Sequence, residues 1–383
     1  MAHRSKAMDD FFANMPNPDA IFQSWWPWIF AFGSGSLYGV RQWLRGPKCT
    51  GGNKLHNKVV IVTGASSGIG KEIALNFANR GGKIIMACRD ETQGKLAAED
   101  VRKETENMDV YFSKLDLNSF KSIKDFVERF KKKEKRLDIL VNNAGVMMCP
   151  EGKTEDGFDI QFQTNYLGPF YLTELLLDIL KESAPSRIIN TTAAAHNLGD
   201  IDLEDINFEN RDYNAGESYS QSKLAVVAHT FHLAERLKDS KVTCNVISPG
   251  ICNTNIYRYL PLKQKKFIRI SFAPFMWFLM KTAEDGAQLS VYCGTTSEMA
   301  EVTGKHFKDC KEEKVNEKAN DKLLQEQLYQ ASLKWTKSAA AAIEGGDDSQ
   351  TNSSDKKDED NEKKVTRRKE KVVQSVMERV SLS

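Results

Sequence analysis

The stretch VVIVTGASSGIGKEIALNF, Val59 to Phe77, runs from a block of apolar, mostly β-branched residues through a glycine-rich turn straight into a helical pattern. Three glycines at this spacing each answer a physical need. Gly64 permits the tight turn, Gly68 lets the backbone approach a pyrophosphate, and Gly70 lets the helix pack closely with its N-terminus toward the phosphates. Ser66, Ser67 and Ile69 fill the rest of the turn. A purely structural turn is the plain alternative, but the strand before it and the helix after it favour a dinucleotide cradle.

The same alternation continues along the chain. From about Lys54 to Lys337, apolar runs such as KIIMAC, VYFSKLD and DILVNN alternate with helical patterns, which predicts βαβ units. We therefore expect an α/β fold with a doubly wound parallel sheet, the Rossmann fold, in a single domain over 54–337. Roughly 280 residues are enough for one large core.

Outside that zone the composition changes. Residues 1–19 form a short polar N-terminus, and no charged residue stands between Asp19 and Arg41. Residues 20–40 are about long enough for one spanning helix, although Gln23, Ser24, Pro27 and the run from Gly33 to Ser36 weaken it. Trp25, Trp26, Trp28, Tyr38 and Trp43 suit a membrane interface. A spanning anchor, an interfacial helix and a loop packed on the domain all remain open; a cleaved signal peptide does not fit the late start of the apolar run. Arg41, Arg45 and Lys48 put the following domain on the cytosolic side by the positive-inside rule. Residues 338–383 pass through SAAAAIEGG into DDSQTNSSDKKDEDNEKK, a stretch without an apolar residue, and predict a disordered tail.

With 54 Lys+Arg against 52 Asp+Glu, the net charge of +2 gives no field for a polyanion, so nucleic acid is not an expected partner. The negative mean hydropathy excludes a polytopic membrane protein. Seven cysteines without CxxC spacing predict free thiols and a reducing compartment.

The spacing TGASSGIG, followed by Asn142-Asn143-Ala144-Gly145 and then Tyr219-Ser220-Gln221-Ser222-Lys223, resembles the short-chain dehydrogenase/reductase family. That resemblance implies a nicotinamide cofactor held by the glycine turn, by Asp116 near the adenine, by Asn142, Ala144 and Gly145, and by Pro249, Gly250 and Thr254 of VISPGICNT. Where dinucleotide folds place an acid for the ribose 2′-hydroxyl, this chain has Cys88 followed by Arg89. An arginine pairs with a 2′-phosphate, so NADP(H) is the expected cofactor; the alternative is a solvated Arg89 with Asp90 turned inward to the ribose.

Tyr219 and Lys223 lie one helical turn apart on one face. A neighbouring ammonium favours phenolate, so Lys223 is expected to lower the Tyr219 pKa. The resemblance makes Tyr219 the acid-base group, Lys223 its tuner and a ribose ligand, and Asn165 the support of a proton-relay water. One member of the family pattern is missing. RIINTTAAAH resembles the strand ending in N-x-S-S, and its second serine slot holds Ala193. Thr192 would substitute only if the strand end slipped, and His196 is a second candidate donor.

Lys71-Glu72, ACRD, FQTNYLGPFYLTELLL and TGKHFKDCKE resemble the microsomal retinol dehydrogenase (retinal reductase) branch. It implies a membrane-associated enzyme of the endoplasmic reticulum, facing the cytosol, that moves hydride between NADP(H) and an apolar alcohol, aldehyde or ketone of retinol/retinal or other lipid type. The segment from Tyr257 to Lys281, basic and aromatic, stands where such folds place a substrate lid. The competing expectation, raised by Ala193, is a weak or inactive NADP(H)-binding scaffold or sensor at a membrane. A homo-oligomer is compatible with either.

Overall fold

The computed structural model describes residues 25–49, 51–260 and 277–338. The polar N-terminus, the first residues of the 20–40 segment, most of the expected lid and the charged tail lie outside the described residues.

Eight strands form one sheet: β1 (Val59–Thr63), β2 (Lys83–Cys88), β3 (Val110–Lys114), β4 (Ile139–Asn142), β5 (Ser186–Thr191), β6 (Val242–Ser248), β7 (His306–Lys308) and β8 (Lys311–Glu312). Their order is β3-β2-β1-β4-β5-β6-β7-β8. All pairings are parallel except β7 with β8. The expected doubly wound parallel sheet is thus the fold.

Strand β1 shows why. Val59 and Ile61 belong to one buried cluster and Val60 and Val62 to another, so alternate side chains enter cores on opposite faces. One core is closed by α2 (Gly68–Asn79) and α3 (Glu91–Thr105), through Ile73, Phe77 and Val101. The other is closed by α4 (Phe120–Lys133), α5 (Gly168–Glu182) and α6 (Ala215–Arg236). In α4, Phe120, Ile123, Phe126, Val127 and Phe130 are buried at the spacing of one helix face. A helix over 322–338 covers this side, where the Tyr166 and Ser332 hydroxyls lie 2.8 Å apart. The strand order reverses between β1 and β4, and that crevice is where open α/β sheets bind ligands.

The N-terminal segment forms helix α1 (Trp26–Arg45), and Trp25, Trp28, Phe32 and Trp43 are exposed. Among the described residues no helix is long and apolar enough to cross a membrane. The helix is held at its C-terminal end. Arg45 donates two hydrogen bonds to Asp285, at 2.7 and 2.8 Å, where Asp285 opens the helix Ala283–Thr295. The Arg41 guanidinium lies 3.5 Å from the centre of the Trp277 ring.

One cysteine expectation needs correction. Cys49 and Cys310 form a disulfide with a Cα–Cα separation of 5.5 Å, while Cys88, Cys149, Cys244, Cys252 and Cys293 are free and buried. The two partners are 261 residues apart in the chain and meet only because the β7–β8 turn returns beside residue 49, which no local spacing reveals.

Candidate active site

The glycine turn lies across the β1–β4 crevice. Thr63 Oγ1 accepts from the main-chain N–H groups of Asn143 and Ala144, both at 3.0 Å, so the ends of β1 and β4 are tied together. Gly70 stands where nothing larger fits: a Cβ there would meet the Gly64 carbonyl oxygen at 2.4 Å and Asn143 Nδ2 at 2.6 Å. Gly68 has a φ of +58° and faces Thr254, which a Cβ would approach to 3.2 Å. Ser67 makes no side-chain cap, leaving the first N–H groups of α2 toward the groove, an arrangement suited to an anionic pyrophosphate.

Gly64, Ser66, Ser67, Gly68, Ile69, Gly70, Arg89, Asp116, Ala144, Gly145 and Thr254 all line this groove. Asp90 is engaged as the N-cap of α3, accepting from Gln93 N at 2.8 Å, which leaves the exposed Arg89 as the distinguishing group at the β2 end. Burial pushes the Cys88 thiol up to about 11, so no anion occupies the usual acid slot. Asp116 accepts from Asn118 N at 3.0 Å in a local turn, and Ser119 caps α4. The glycine cradle, the helix N-terminus and these side chains fit a nicotinamide dinucleotide.

Five expected ligands do not line this groove: Asn142, Pro249, Gly250 and, on the neighbouring helix, Tyr219 and Lys223. Asn142 is buried beneath the groove, donating to Thr173 Oγ1 at 3.1 Å and Asn190 Oδ1 at 2.8 Å. It supports the strand ends, and Asn143 takes the groove position. Pro249 and Gly250 do not line the groove either; Gly250 packs against the Lys281 side chain, to which a Cβ would come within 3.3 Å.

Helix α6 is capped by Asn214, whose side chain accepts from Gly216 N and Glu217 N. One turn in, Tyr219 and Lys223 are both buried, with Lys223 Nζ 5.8 Å from the centre of the Tyr219 ring. Lys223 Nζ donates to the Thr191 carbonyl at 3.1 Å. Burial lowers the Lys223 ammonium to about 8. The expected lowering of the Tyr219 pKa is not found: burial, with Tyr257 adding to it, holds the phenol well above its ordinary value. A desolvated ammonium directed at a carbonyl does not offset the loss of solvent around the phenol.

Asn165 lies in the π-helical turn Gln163–Leu167. Its Oδ1 accepts from Val146 N at 2.8 Å, and its Nδ2 donates to the Val146 carbonyl at 3.0 Å and to Ser222 Oγ at 2.9 Å. It therefore ties the loop after β4 to the helix carrying Tyr219 and Lys223. Gly145 fits between them, since a Cβ there would stand 3.2 Å from Asn165 Oδ1 and 3.5 Å from Lys223 Nζ.

The missing donor is not replaced by either neighbour. β5 ends at Thr191, and the Thr192 hydroxyl donates to the Lys223 carbonyl at 2.9 Å. His196 is buried, with Nδ1 2.8 Å from the Ala193 carbonyl oxygen and its ring 5.1 Å from that of His306. Thr63, Asn118, Thr164 and Arg258 also line the groove and were not singled out from the sequence. Thr63 alone had a local signal, as the residue before the first glycine.

Residues 58–265 match the family model for short chain dehydrogenase. Retinol dehydrogenase 13 of Mus musculus is 45% identical over 305 residues, covering 80% of this chain and 90% of its own length. Retinol dehydrogenase 11 of Homo sapiens is 42% identical over 297 residues, covering 76% and 90%. Among solved structures, an uncharacterized protein from Mycobacterium Paratuberculosis is similar with a TM-score of 0.61 at 30% identity, covering 76% of this chain and 98% of that one. The Pseudomonas aeruginosa RhlG/NADP active-site complex is similar with a TM-score of 0.52 at 25% identity, covering 66% and 95%.

Proposed function

The chain belongs to the short chain dehydrogenase family, and from that premise we propose that it is a membrane-associated oxidoreductase that moves hydride between NADP(H) and an apolar carbonyl or alcohol of retinal/retinol type. The observation that carries the reading is the placement of Tyr219 and Lys223, one turn apart on a buried face of α6, in a fold whose glycine groove fits a dinucleotide. For NADP(H) over NAD(H), the support is the exposed Arg89 beside an Asp90 engaged in capping, together with the NADP complex of a similar protein. The substrate class follows the names of the relatives.

Bound NADPH supplies the hydride. Tyr219 then gives its phenolic proton to the carbonyl oxygen, and the Lys223 ammonium stabilises the phenolate left behind. Lys223 also offers donors to the nicotinamide ribose. Asn165 holds the loop and helix in register and supports proton return through water. For membrane contact, the support is the exposed aromatic side of helix Trp26–Arg45. We place the domain on the cytosolic face of the endoplasmic reticulum. The Cys49–Cys310 bond, of a kind at home in oxidising compartments, makes the side of the membrane the point to test. In sealed microsomes, added protease should digest the domain; a protected domain would place it in the lumen.

A second reading, a catalytically weak or inactive NADP(H)-binding sensor, is favoured by one observation: Ala193 lacks a donor while Thr192 and His196 are engaged elsewhere. The deciding experiment follows NADPH oxidation with all-trans-retinal and a panel of apolar aldehydes and ketones, with Tyr219→Phe as control and NADPH titration alongside. Turnover that disappears in the variant supports the reductase. Tight NADPH binding without turnover on any substrate supports the sensor.

A further inference from the structure

The groove has two walls, and the second one carries a cation with no role so far. After β6 the chain turns at Thr254, whose side chain accepts from Ile256 N and so starts the 3-10 turn Asn255–Tyr259. Thr254 stands directly over Gly68, the glycine at which the backbone opens to the phosphates. Thr254, Asn255, Ile256 and Arg258 thus line the same groove as Ser67, Gly68, Ile69 and Gly70 at the N-terminus of α2, and Thr254 brings this turn against Gly68.

Arg258 is exposed at that wall. Its contacts are modest: Nη1 donates to the Asn255 carbonyl at 3.3 Å, and the guanidinium lies 4.9 Å from the centre of the Tyr259 ring. Neither contact neutralises its charge, and no carboxylate among the described residues forms an ion pair with it. Arg258 and Arg89 come from separate elements and both line this groove. A dinucleotide brings three kinds of group to such a groove, and only the pyrophosphate is anionic in both NADPH and NADH.

We propose that Arg258 grips the cofactor pyrophosphate from the outer wall, closing the groove against the N-terminus of α2 through the Thr254–Arg258 turn. This inference rests on the reading that the groove takes a nicotinamide dinucleotide. It assigns the two arginines different work: Arg89 answers to the 2′-phosphate, present only in NADPH, and Arg258 to the charge that both cofactors share.

The test is binding, independent of turnover. The full chain in mild detergent is titrated with NADPH and with NADH, read by cofactor fluorescence, for wild type, Arg258→Gln, Arg258→Lys and Arg89→Ala, with thermal melts confirming that each variant is folded. Arg258→Gln should weaken NADPH and NADH by the same factor, roughly tenfold to hundredfold, the worth of a charge-assisted hydrogen bond. Arg258→Lys, which keeps the charge but loses the fork, should recover part of that loss. Unchanged affinity for both cofactors would overturn the proposal. So would a loss confined to NADPH, which would move Arg258 to the 2′-phosphate. Wild type that binds neither cofactor, nor the NADP⁺ and NAD⁺ forms, would overturn the dinucleotide reading of the groove and this inference with it, an outcome distinct from failure of Arg258 alone.

Discussion

The Thr192 hydroxyl donates to the main-chain carbonyl of Lys223 at 2.9 Å, fastening the end of β5 to the helix that carries the acid-base pair. The same bond takes the one hydroxyl adjoining Ala193 out of reach of a substrate. Ala193→Ser should therefore restore a hydroxyl donor in the slot that the family pattern gives to serine, raising kcat with NADPH and an apolar aldehyde by roughly 10²–10³-fold. No gain in a protein that already turns over briskly would mean that another group fills the role.

Lys223 predicts a pH dependence of stability. Burial lowers its ammonium from 10.5 to about 8, so the folded chain gives up this proton near pH 8 while the unfolded chain keeps it to near 10.5. Between those values the unfolded state binds more protons, and stability contributed by this group rises with pH. The Tm of wild type relative to Lys223→Met should climb from pH 8 to 10. A flat difference would show that the ammonium is not desolvated in the folded protein.

Arg89→Ala should weaken NADPH by roughly tenfold to hundredfold and leave NADH nearly unchanged, because Asp90 is held at the N-cap and cannot turn to a ribose hydroxyl without uncapping α3. Equal weakening of both cofactors, measured by titration, would remove the NADP(H) assignment.

Gly70→Ala should destabilise the fold by roughly 1–3 kcal/mol, the cost of overpacking, and abolish NADPH binding. Its Cβ would collide with the Gly64 carbonyl, a backbone atom that cannot move aside without opening the turn. Thermal melts and cofactor titration check both parts, and a variant that melts and binds like wild type would show that the turn is looser than described.

Much of the fold was legible because its signals are local. The apolar run Val59 to Val62, the glycine turn after it and the repeated alternation of strand and helix patterns each follow from neighbouring residues and the geometry of one element. Parts of the candidate site are legible in the same local way: Tyr219 and Lys223 share a helix face at a spacing of four, and Arg89 follows the strand whose end it marks.

What the chain folds into, and where its groove lies, was determined by the sequence alone, since strand periodicity, turn chemistry and helix spacing act over a few residues. The tertiary structure decided which side chains are left to act. It buried Asn142 against Asn190, directed Lys223 to the Thr191 carbonyl, engaged Thr192 and His196 with main-chain carbonyls, paired Cys49 with Cys310, and set Arg258 in the same groove as the glycine turn. Each of these depends on groups from separate elements meeting in space, where burial and hydrogen bonding, rather than position in the chain, set what a residue can donate, accept or hold as charge.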